Sequence, residues 1–241
     1  NHKDEIKALY ADILINVTEF FRDPDSFKAL TDQVFPQIMK NRPAGTPVRI
    51  WVPGCSTGEE AYSLAILWLE FLSAAGIKTP VQIFATDISE QAIQKARAGF
   101  YPESIERGVS KERLNRFFER VDGGYQIHKA IRDLCLFSRH DVTRDPPFSR
   151  LDLVSCRNLL IYFGVILQKR VFPLFHYVLN SGGFLWLGKS ESPGWPLKLF
   201  ATLDKTYKIY SKLNVPTPLI YSFPVSEYVP EVPEALPRTH K

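Results

Sequence analysis

The side chains best suited to chemistry stand at the ends of apolar runs. Val48 to Pro53 is such a run, and Gly54, Cys55, Ser56, Thr57, Gly58 and Glu59 follow it before a second apolar stretch from Tyr62 to Leu69. Small residues at Gly54, Ser56 and Gly58 let a turn approach a ligand closely, and the free N–H groups of the helix start can face a carboxylate or another polar group. The spacing is not G-x-G-x-x-G, so a dinucleotide fingerprint is not met. Asp87 closes the next apolar run, Val81 to Thr86. A carboxylate there can accept from both hydroxyls of an adenosine ribose, or serve more plainly as a helix cap or surface ion pair. Asn16, Thr18 and Arg22 put an amide, a hydroxyl and a guanidinium around Phe20 and Phe21, two aromatic anchors for the core. Arg157, Asn158 and Tyr162 follow the run Leu151 to Ser155.

Other reactive residue types fall into no working pattern. Cys55 and Cys156 lie at strand ends, but no His/Asp partner pattern supports a nucleophile, so both read as small packing residues. The three cysteines lack paired ligand spacing and the five histidines form no cluster, so no metal site is expected.

These groups need an α/β scaffold. Ile6, Leu9, Tyr10 and Ile13 predict an amphipathic helix within 3–15. Asp23 as N-cap and Pro24 as first helical residue predict a second, with Phe27, Leu30, Val34 and Ile38 on one face to about Met39. A strand over 48–53, a helix from about Glu59 to Ala74, a strand over 81–86 and a helix capped by Ser89 form a β-α-β-α series. Residues 99–116 read as an irregular connection with a short helix near 110–118. The runs 117–121, 125–128 and 134–138 then read as short strands around the Asp122-Gly123-Gly124 hairpin turn. Such an antiparallel excursion can cover part of the core or bind a peptide by strand addition. Asp145-Pro146-Pro147-Phe148 resembles an amino-methylating signature, but it precedes the buried strand 151–155 instead of following it, so it reads as a connector. A helix over 166–179, a strand over 184–188 and an antiparallel edge strand over 206–210 complete the domain. Six prolines from Pro216 to Pro237 make the remainder an extended tail or interdomain linker.

With 241 residues, 45% of them apolar and 23% charged, the chain can bury one substantial core with a small appendage. A net charge of +4, from 30 basic and 26 acidic residues, gives no argument for nucleic acid. Unpaired cysteines point to a reducing compartment. With no membrane-length apolar segment and no visible secretion signal, a cytoplasmic location is expected.

Taken together, the motifs resemble the bacterial chemotaxis receptor methyltransferases, the CheR family, from roughly Asn16 to Leu213. The resemblance is carried by Asn16-Val17-Thr18-Glu19-Phe20-Phe21-Arg22, Gly54-Cys55-Ser56-Thr57-Gly58-Glu59-Glu60-Ala61-Tyr62-Ser63, Ala85-Thr86-Asp87-Ile88, Cys156-Arg157-Asn158-Leu159-Leu160-Ile161-Tyr162-Phe163 and Gly188-Lys189-Ser190-Glu191-Ser192. It implies an α/β, Rossmann-like S-adenosylmethionine-dependent methyltransferase fold. That fold has a mostly parallel central sheet, an antiparallel C-terminal strand and a small antiparallel β subdomain. On this resemblance residues 1–44 would be the closing part of an N-terminal helical domain and linker, 45–213 the methyltransferase domain with 117–140 as the small β subdomain, and 214–241 the tail.

The family's activity implies S-adenosylmethionine as methyl donor, S-adenosylhomocysteine as product and a glutamate carboxylate as acceptor. The implied partner is the cytoplasmic helical region of chemoreceptor-like proteins, with fused or neighbouring signalling domains. By the same resemblance, Asn16, Thr18 and Arg22 would reach across the donor from the amino-terminal segment, above the Gly54 turn. Glu59 would hold its amino group and Asp87 its ribose, with Asp141, Val142, Arg157 and Asn158 lining the remainder. The family's usual asparagine is aspartate at 141, which changes charge and hydrogen-bond direction. Arg22 is the candidate for orienting the acceptor, set against a structural pair with Asp23 or Glu19. Tyr162 is a candidate wall or hydrogen-bond donor, set against a packing role. The competing functions are a non-catalytic donor-sensing domain and a methyltransferase for another side chain or a small acid.

Overall fold

Five of the chain's apolar runs pair side by side. The structure, a computed structural model, describes residues 18–40, 42–193 and 199–218. Its helices and strands, in order, are α1 (Pro24–Gln33), α2 (Phe35–Met39), β1 (Val48–Pro53), α3 (Glu59–Ala75), β2 (Val81–Asp87), α4 (Glu90–Ala98) and β3 (Phe100–Pro102). There follow α5 (Lys111–Phe117), β4 (Phe118–Val121), β5 (Gly124–Ile127), α6 (Lys129–Arg132), β6 (Cys135–Arg139), β7 (Leu151–Cys156), α7 (Val165–Val178), β8 (Leu179–Leu187), β9 (Phe200–Asp204) and β10 (Ile209–Lys212). The main sheet has the order β6-β2-β1-β7-β8-β10-β9, parallel from β6 to β8 and antiparallel at β10 and β9.

Alternate side chains enter opposite layers, as strand geometry requires. Ile50, Val52, Leu153 and Trp186 join one core with α1, α2 and α3, whereas Trp51, Val154, Leu185 and Leu187 join the other with α7. Both faces are covered, which is why the parallel strands read as nearly continuous apolar runs. Pro53 is in register with Thr86, and Asp87 with Arg139, so the strand ends are level. The chain order reverses at β1, flanked by β2 on one side and β7 on the other, and the crevice there is where such sheets take ligands. Among the described residues, no helix is long and apolar enough to cross a membrane.

Four expectations need correction. The run 134–138 does not join the small antiparallel sheet; it is β6, paired in parallel with β2. The third strand of the small sheet is β3, in the stretch read as irregular, giving the order β3-β5-β4. A Cβ on Gly124 would collide with the Tyr101 carbonyl, which is how closely β3 and β5 approach. The final strand lies later than expected, at Ile209–Lys212, and is internal; the edge is β9, whose half-exposed side chains leave little apolar periodicity to read. Asp23 stands at the N-cap position of α1, with Pro24 first in the helix, but its side chain makes no capping bond. Its backbone is left-handed, φ 64, and its carboxylate is turned to Arg157 and Lys189. The predicted helix within 3–15 and the tail beyond 218 lie outside the described residues.

Candidate functional site

A cavity of about 400 Å³ opens at the reversal point, a size suited to a small organic ligand. Its walls come from the turn after β1, the end of β2, the turn after β6, the segment after β7, and a strap formed by Thr18 to Asp23.

Two phenylalanines bury the strap. Phe20 meets Tyr101 and Phe118 edge-on at 4.8 and 5.4 Å, and the Arg113 guanidinium lies 4.0 Å from the Phe21 ring. The Phe21 N–H donates to Ser63 Oγ at 2.9 Å. Phe21 and Asp23 both have positive φ, 52° and 64°, an uncommon conformation for residues with side chains, and Arg22 between them lines the cavity. Burial acts to raise the Asp23 carboxyl, but the Lys189 hydrogen bond and the charges of Arg157, Lys189 and Arg22 together hold it below its ordinary value.

In the turn after β1, Gly54 has φ 69, which strains any residue with a side chain, and a Cβ there would press on Leu159 at 3.0 Å. The Ser56 N–H donates to Asp87 Oδ2 at 2.9 Å and the Ser89 N–H to Asp87 Oδ1 at 2.9 Å. Asp87 thus braces two turns while its carboxylate lines the cavity. The Ser56 hydroxyl, also at the cavity, is buried and has no partner among the described residues.

The two acidic residues that begin α3 are divided between roles. Glu59 does not line the cavity. Its carboxylate accepts from the Thr57 hydroxyl, at 2.8 and 2.7 Å to its two oxygens, and burial pushes it up against the lowering effect of its hydrogen bonds. Glu60 lines the cavity instead. It accepts from Ser155 Oγ at 2.7 Å and faces Arg157 Nη1 at 3.3 Å. Burial raises the Glu60 carboxyl too, with Arg157 and the Ser155 hydrogen bond opposing.

Arg157 is the hub of the wall, its side chain only 1% exposed. It lies 4.3 Å from the Trp186 ring and donates to Asp23 Oδ2 at 2.9 Å and to the Arg22 carbonyl at 3.1 Å. Asn158, with φ 58, is turned toward the cavity by Glu191. That buried carboxylate accepts from the N–H groups of Gly188, Asn158 and Leu160 at 2.8, 2.9 and 2.8 Å. Sequence reasoning gave Glu191 no separate role; its signals are an acid in a short turn after an apolar strand and its place in the Gly188–Ser192 motif.

Asp141 and Val142 line the cavity after β6, beside His140. Asp141 Oδ1 accepts from the Thr143 N–H at 2.9 Å and its hydroxyl at 2.6 Å, so part of this carboxylate is spent on its own loop. The Asp-Pro-Pro-Phe segment is a connector: the Pro146 carbonyl meets His140 Nε2 at 3.1 Å, and Phe148 stacks on Phe84 at 4.5 Å. Tyr162 lines the cavity and is half-exposed. Burial pushes the thiols of Cys55 and Cys156 well up, as suits packing residues. Of the anticipated site residues, Thr18, Arg22, Gly54, Asp87, Asp141, Val142, Arg157, Asn158 and Tyr162 converge on this cavity, Glu59 does not, and Asn16 lies outside the described residues.

The sequence profile described as CheR methyltransferase, SAM binding domain, matches residues 16–208. An uncharacterized 104.1 kDa protein of Rhodobacter capsulatus is 41% identical over 212 residues, covering 88% of this chain and 22% of its own. The putative methyltransferase Cher3 of Pseudomonas putida is 35% identical, covering 83% of this chain and 74% of its own. Chemotaxis protein methyltransferase 2 of Vibrio cholerae is 34% identical, covering 78% and 66%. Among solved structures, a TehB-like SAM-dependent methyltransferase from Corynebacterium glutamicum aligns with a TM-score of 0.43 and 10% identity, covering 88% of this chain and 96% of its own. This chain therefore spans about a fifth of the Rhodobacter relative's length and about three quarters of Cher3. Over most of its length, it belongs to the CheR methyltransferase family as that family's S-adenosylmethionine-binding domain.

Proposed function

We propose that this domain transfers the methyl group of S-adenosylmethionine to glutamate side-chain carboxylates in the cytoplasmic helical region of chemoreceptor-like proteins. The observation that carries the reading is the sharing of one cavity by Asp87, Glu60 and the Ser56 hydroxyl, which has no partner among the described residues, with Arg22 and Tyr162. The first three suit the donor. Asp87 can take both ribose hydroxyls and Glu60 the ammonium, held in place by Arg157 and Ser155, while Ser56 supplies a hydroxyl still in need of a partner. The donor's sulfonium supplies an activated methyl group with a neutral thioether as leaving group.

What remains for the protein is alignment. An acceptor carboxylate is ionised near neutral pH and needs no general base. Its oxygen forms the new O–C bond as the C–S bond breaks, the sulfur keeps the electron pair, and no proton moves. Arg22 and Tyr162 orient the acceptor along that line and help exclude water. Too tight an Arg22 pair would suppress nucleophilicity, so the residue's task is orientation.

The test is transfer of labelled methyl from S-adenosylmethionine to chemoreceptor cytoplasmic fragments by the full-length polypeptide. The expected product releases its label as methanol on mild base treatment, as an ester does. Base-stable label would assign another acceptor group. Tight donor binding without transfer would overturn the enzymatic reading in favour of donor sensing.

A further inference from the structure

The strap that carries Arg22 is fastened to one turn of α3. Ser63 Oγ accepts the Phe21 N–H at 2.9 Å while donating its own proton to the Glu59 carbonyl at 2.7 Å. Glu59 and Ser63 are four residues apart and share a helix face. Both are buried, and neither lines the cavity. The Phe21 amide adjoins the peptide that leads into Arg22, and Phe21 is held at φ 52, where a residue with a side chain needs its surroundings to keep it.

We propose that Ser63 is a positioning residue for Arg22, acting through the strap and without contact to donor or acceptor. Without the Ser63 hydroxyl, the Phe21 N–H is a buried donor with nothing to meet, and the strap relaxes toward ordinary backbone angles. Arg22 then leaves the cavity wall. This rests on the proposed assignment of Arg22 to the site.

A double-mutant cycle in the full-length polypeptide tests it, read on kcat with receptor fragments. Ser63→Ala should lower kcat roughly tenfold, the scale expected for an orphaned buried amide. In an Arg22→Ala background the same change should cost less than about twofold, because the residue it positions is already gone. Additive losses in the cycle would overturn the proposal. If the wild type methylates no carboxylate, the functional assignment fails, yet hydrogen exchange at the Phe21 amide still judges the strap: Ser63→Ala should speed it more than the amides of the main sheet, and unchanged exchange would overturn the positioning role.

Discussion

Glu59 and Glu60 show how much one residue's orientation decides. Adjacent positions on a helix point roughly 100° apart, so the register of the first turn of α3 sends one carboxylate toward the strap and the other into the cavity. A sequence with two consecutive acids cannot tell which is which; the expectation named Glu59, and the residue that lines the cavity is Glu60. Asp87, Gly54 and Arg22 were legible because each stands at a strand end or beside buried aromatics, where few orientations exist. If ionised Glu60 holds the donor's ammonium, the raised carboxyl has a measurable effect. A carboxyl whose value lies above that of ordinary glutamate takes up its proton at milder acidity, so donor affinity should begin to fall at a pH where ordinary glutamate is still ionised. Titration calorimetry with S-adenosylhomocysteine across that range should show this fall in the wild type. Glu60→Gln should bind about tenfold more weakly at neutral pH and with little pH dependence.

At the scale of elements, the parallel strands were legible because burial on both faces writes them as apolar runs with turn residues at each end. The short strands were not. β3 has three residues and β9 fully buries none of its side chains, so neither carries a readable period, and β6, with only Phe137 buried, gives no sign of which sheet it will join. The segment after β7 also depends on a partner far along the chain. Glu191 gathers three N–H groups that join the end of β8 to the 158–160 turn, and it is 4% exposed. Glu191→Ala should therefore cost about 2–4 kcal/mol by chemical denaturation, as orphaned buried amides do, and should weaken donor binding through Asn158. An unchanged denaturation midpoint would show that this turn holds itself.

For the whole molecule, the strap and the C-terminal half of the sheet are tied through Asp23, which takes Arg157 at 2.9 Å and Lys189 at 2.6 Å. These pairs differ in weight. Lys189 is 62% exposed, so solvent screens it and Lys189→Ala should cost less than about 1 kcal/mol. Arg157 is buried, and Arg157→Ala leaves Asp23 and Glu60 without their shared cation, a loss of about 3–5 kcal/mol in the same denaturation assay. The small sheet enters this scheme through Phe20, seated between Tyr101 of β3 and Phe118 of β4. Phe20 stands two residues from Arg22. The little sheet is thus joined to the cavity's strap through a single aromatic ring.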